Sequence, residues 1–74
     1  MLANNARNTI EKIRTLYPVG TKVRLVGMID EKAPPIGTIG EVSHVDDIGT
    51  IHVIWKNHAR LGLIFGYDRF EKIF

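Results

Sequence analysis

The side chains that could carry chemistry crowd into one stretch: Ser43 beside His44, Asp46 and Asp47 in the next turn, then His52 and His58. Nucleophilic catalysis needs a hydroxyl or thiol held against a base. The chain has no cysteine, and Ser43, its only serine, neighbours His44 in a strand-like run, which sends the two side chains to opposite faces. A metal site would draw on His44, His52, His58, Asp46 and Asp47. With a four-residue loop His44 and His52 also fall on opposite faces, although a bulge could bring them together. Imidazoles more than about 6 Å apart would remove the site altogether. Adjacent aspartates in a hairpin turn accept backbone hydrogens rather than exchange protons with a substrate. The glycines are turn punctuation without the strand-to-helix setting of a phosphate loop. The expectation is therefore no enzyme, no cofactor and no metal.

These residues are positioned by one β-hairpin, Gly37 to Trp55. Its strands, Ile39 to Val45 and Thr50 to Trp55, are rich in β-branched residues and flank the turn Asp46-Asp47-Ile48-Gly49. Ile51, Val53 and Trp55 alternate with His52 and Ile54 and form the inward face. A four-residue loop sets Val45 opposite Thr50, Val42 opposite Val53, and Gly40 opposite Trp55, where the glycine leaves room for a buried indole. It also sets His44 beside Ile51.

The remaining elements follow from pattern. Leu2, Ala6, Ile10, Ile13 and Tyr17 recur at helical spacing, with Leu16 beside them, so residues 1–17 form an amphipathic helix. Asn4 or Asn5 can cap it, and Pro18 with Gly20 ends it. Lys22 to Met28 is the first strand, with Val23 and Leu25 inward and Lys22, Arg24 and Val26 outward. Ile29 to Ile36, stiffened by Pro34-Pro35, is a long ordered loop. Lys56-Asn57-His58-Ala59 turns the chain into Arg60 to Ile64, where Leu61 and Leu63 point inward. After the irregular segment Phe65 to Arg69, Phe70 to Phe74 is the fifth strand. The fold class is mainly β, a small five-stranded barrel over 18–74 preceded by the helix.

Seventy-four residues make one domain near the lower size limit for a self-sufficient core. With 45% hydrophobic residues and no disulfide, that core, helped by self-association, must hold the fold. No apolar run reaches membrane-spanning length, and Met-Leu-Ala-Asn-Asn is not a signal sequence, so a cytoplasmic protein is expected. Net charge divides unevenly. Residues 1–17 carry Arg7, Lys12 and Arg14 against Glu11, whereas residues 18–74 carry seven basic and seven acidic side chains.

Tyr17-Pro18-Val19-Gly20-Thr21, Leu25, Pro34-Pro35-Ile36-Gly37-Thr38, Gly40, Val42, Val45-Asp46-Asp47-Ile48-Gly49-Thr50-Ile51-His52-Val53 and Trp55 carry a resemblance. Across residues 11–70 the chain is similar to a family of small bacterial and phage proteins known as a domain of unknown function. The Pro-Pro-x-Gly-Thr-x-Gly and Val-Asp-Asp-x-Gly blocks are its most specific parts. Where that family has Asp-Asn-Gly after the tryptophan, this chain has Lys56-Asn57-His58, a more basic turn. The resemblance implies an SH3-like barrel and association with phage or other mobile genetic elements, and supplies no catalytic residue.

Two kinds of binding follow. The leading expectation is a protein-interaction module, with a protein partner or homodimer meeting an apolar surface of Ile64, Phe65 and Tyr67. The alternative is nucleic-acid binding on a basic face of Lys22, Arg24, Lys56, His58 and Arg60, joined by Arg7 and Arg14. Inhibition of a host defence nuclease is a narrower form of the first, suggested by small size and the mobile-element resemblance.

Overall fold

Amphipathic spacing at one end and alternating apolar residues over the rest give a helix followed by five strands. The computed structural model describes residues 4–57 and 59–73, with side chains from Asn8 onward. Leu2, His58 and Phe74, with the side chains of Asn4, Asn5, Ala6 and Arg7, lie outside the described residues. The elements are α1 (Asn4–Leu16), β1 (Lys22–Gly27), β2 (Ile39–Val45), β3 (Thr50–Trp55), β4 (Arg60–Ile64) and β5 (Arg69–Ile73). The strands form one antiparallel sheet in the order β4-β3-β2-β1-β5. No helix among the described residues is long and apolar enough to cross a membrane.

Alternation decides which side chains meet. Val23 and Leu25 of β1, Val42 of β2, Ile51, Val53 and Trp55 of β3 and Leu63 of β4 are fully buried in one cluster, which Ile13 of α1 joins. The Trp55 indole is 1% exposed and donates Nε1–H to the Leu61 carbonyl at 3.1 Å, so its one polar atom is satisfied inside the core. Gly40 pairs with Trp55 as the register requires. A Cβ there would lie 2.7 Å from Trp55 Cε3 and closer still to Val53 Cγ1.

The long loop after β1 is ordered by its own turns. Asp30 accepts from Ala33 N on its carbonyl and from Lys32 N on its carboxylate. Pro34 is buried, and the Pro35 carbonyl accepts from both Thr38 N and Thr38 Oγ1. The proline pair thus stiffens the return to β2.

The hairpin departs from the expected register near its turn. Gly40↔Trp55 and Val42↔Val53 pair as the pattern predicts, but His44 pairs with His52 and Val45 with Ile51. The reason lies in loop length. Asp46 N donates to Thr50 O, and Gly49 N to Asp46 O, so Asp46 and Thr50 close a three-residue loop with Gly49 at φ 89°. An odd loop shifts the strands by one residue, and an extra residue at Ser43 shifts them back. Val42 therefore keeps its inward position while everything between Ser43 and the turn changes neighbour.

Candidate interaction surface

The bulge at Ser43 overturns two expectations together. His44 and His52 do not face opposite ways: their rings stack with centroids 4.2 Å apart and planes 6° from parallel. Nor does Ser43 point away from His44, since its Oγ lies 3.1 Å from His44 Nδ1 and donates to the His52 carbonyl at 3.2 Å. Asp46 fixes the other end. Its carboxylate accepts from His52 Nε2 at 2.8 Å, from Thr50 N at 2.9 Å and from Ile48 N at 3.1 Å. The His52 hydrogen bond is the largest influence on this carboxyl; burial opposes it, and the Thr50 and Ile48 amides add to it, so that the group is held below the ordinary carboxylate range.

The cluster is ill suited to the chemistry its residue types suggest. Asp46 is ionised and can only accept, so His52 Nε2 is the donor. Ser43 Oγ is within hydrogen-bond reach of both His44 Nδ1 and the His52 carbonyl, and its single proton can serve only one of them at a time. Carboxylate and hydroxyl are joined through stacked ring faces, without a hydrogen-bonded relay between them. The rings fall inside the 6 Å limit for a shared metal, yet each imidazole offers its lone pair in its own plane, and parallel planes share no point. Among the described residues no group of three or more His, Asp or Glu side chains is arranged to hold a metal ion.

The basic residues do not assemble into one free surface. On the outward face of the sheet a row runs Ile73, Lys22, Glu41, Ile54, Arg60 across all five strands. Lys22 Nζ lies 2.7 Å from Glu41 Oε1, and Arg24 Nη1 lies 2.6 Å from Glu71 Oε1. Arg14 is engaged by Glu11 at 2.9 Å and Asp47 at 3.0 Å. Lys56 and Arg60 are exposed and make no ion pair among the described residues.

The apolar residues gather more closely. Phe65, at the end of β4, is 46% exposed and lies between two hollows. The first, of about 380 Å³, is walled by Tyr17, Val26, Phe65 and Phe70, with Arg69 and Glu71 at its edge. Tyr17 holds it together, its ring centroid 5.4 Å from Phe70 and 6.3 Å from Phe65, with Lys72 Nζ 5.3 Å over its face. The second, of about 330 Å³, runs between α1 and the hairpin turn and is lined by Ile10, Ile13, Ile48, Ile64 and Phe65. Ile64 and Phe65 thus meet as the sequence predicts. Tyr67, 66% exposed, stands apart in a smaller hollow with Met28 and Ile29. Tyr17 and Ile48 belong to the surface without having been singled out for it. For Ile48 a signal existed, an isoleucine at the tip of an otherwise polar turn, where it is 79% exposed.

A family model described as "Domain of unknown function (DUF4314)" matches residues 6–73. That is wider than the 11–70 carrying the resemblance in the sequence. No curated protein and no solved structure matches the chain.

Proposed function

Given that the chain belongs to the DUF4314 family, whose function is unknown, we propose that it is a non-enzymatic protein-interaction module that presents the Phe65 surface to a protein partner or a second copy of itself. The observation that carries this reading is a half-exposed phenylalanine set between two apolar hollows, where a monomer would sooner leave polar side chains. On this reading the curled sheet is an SH3-like barrel, for which the strand order is suitable, working in the cytoplasm as part of a phage or other mobile element. Inhibition of a host defence nuclease is one role such a module would fill.

The experiment compares wild type with Phe65→Ser and Arg60→Ser. Quantitative affinity capture from host lysate and sedimentation of the purified protein read both kinds of complex. Phe65→Ser loses about thirtyfold in affinity for the partner or second copy, the scale of a central aromatic anchor. Arg60→Ser keeps it. Equal complex formation by wild type and Phe65→Ser overturns the proposal.

Nucleic-acid binding is the second reading, favoured by Lys56 and Arg60, exposed beside the β3–β4 turn and without an ion pair among the described residues. Pairing of Lys22 and Arg24 with carboxylates weighs against it, because neutralised cations release few counterions from phosphate.

A further inference from the structure

We propose that the His44–His52 stack is a proton-operated latch, closed while at most one ring is charged and opened when both are, and that it sets how firmly α1 is held on the β2–β3 turn. The proposal is independent of the interaction reading, and its test involves no partner.

The turn braced by the histidines is the seat of the helix. Arg14 of α1 donates to the carbonyls of Val45 at 3.4 Å and Asp46 at 3.2 Å and pairs with Asp47, all between or beside the two histidines in sequence. Gly49 in the same turn lies beneath Ile10 and Ile13, so close that a Cβ on it would meet Ile10 Cγ1 at 3.4 Å. Movement in the turn therefore reaches the helix directly.

The charges around the stack are lopsided. His52 has Asp46 at its edge, 2.8 Å away, and its register partner on β4 is Gly62, which carries no side chain. His44 has the Ser43 hydroxyl and shares a hollow with Arg14, Tyr17 and Val19. The carboxylates nearest Arg14, Glu11 and Asp47, are already paired with it, and further along β2 Glu41 is paired with Lys22 of β1. One added proton is accommodated, because an imidazolium at His52 donates to an Asp46 carboxylate that stays ionised throughout the range where histidines titrate. Among the described residues, a second proton at His44 meets no carboxylate. Two imidazolium rings face to face at 4.2 Å repel, and His44, being exposed, is the ring that can leave. Its departure breaks the contact with Ser43 at the bulge and uncovers one face of the His52 ring, beside the turn on which α1 sits.

The test is amide hydrogen exchange by NMR at about pH 7.5 and about pH 5, with intrinsic exchange rates divided out, on wild type and His44→Phe. Phenylalanine keeps an aromatic ring against His52 and cannot be charged. In wild type the α1 amides lose roughly tenfold of their protection at the lower pH, equivalent to about one unit of differential protonation, while His44→Phe loses none. Unchanged α1 protection in wild type overturns the latch. So does an equal loss in His44→Phe, or ring-to-ring contacts between residues 44 and 52 that persist in wild type at the lower pH.

Discussion

Gly40 and Trp55 are a matched pair, and the match sets the cost of altering either. An alanine at position 40 places its methyl carbon 2.7 Å from Trp55 Cε3, and the indole is fixed by its bond to the Leu61 carbonyl. With the indole buried in the core, relieving that contact means shifting packed neighbours. Gly40→Ala destabilises the fold by about 3 kcal/mol, at the upper end of ordinary overpacking, out of roughly 4–11 kcal/mol for a domain of this length. Urea unfolding checks this: the midpoint falls with little change in slope, and an unchanged midpoint means the core is looser than described. This pair was legible in the sequence, because alternation fixes which residues face inward and only a small residue can oppose a buried tryptophan. The histidines a few positions away were not. Their placement depends on whether four residues or three bridge the strands, and Asp-Asp-Ile-Gly suits both; only the backbone bond from Asp46 N to Thr50 O decides it.

At the scale of elements, the helix is the part whose attachment can be tuned. An isolated helix of 13 residues is marginal in water, so α1 owes its persistence to Ile10, Ile13 and Arg14 on the hairpin. Arg14→Met keeps the apolar stem and removes the guanidinium from two carbonyls and two carboxylates. Arg14 is 36% exposed, which screens those ion pairs, so the loss is about 1 kcal/mol. Amides of α1 should exchange about fivefold faster while those of β1 to β5 hold their rates; equal acceleration in the strands would mean that helix and sheet open as one unit. All six elements could be placed from spacing and turn residues, because each carries its own period and its own stop signal. The clamp that joins α1 to the hairpin could not, since Arg14 and Asp46 are 32 positions apart and nothing local announces their contact.

Across the whole molecule, what distinguishes one surface from another is the state of its side chains. The cations of β1 are neutralised by carboxylates on the neighbouring strands, whereas Lys56 and Arg60, near one turn, make no ion pair among the described residues. The apolar residues Tyr17, Ile48 and the adjacent pair Ile64 and Phe65 come from three separate segments and line two hollows that share Phe65. That is why the sequence named Ile64 and Phe65 but not the hollows on either side of them. A photo-reactive p-benzoylphenylalanine at position 65, compared with the same residue at position 24 on the ion-paired face, tests the central claim in living cells. Irradiation should give one discrete protein adduct, either a partner or a covalent dimer, from position 65 and none from position 24. No discrete adduct from position 65, or one of equal strength from position 24, would contradict it.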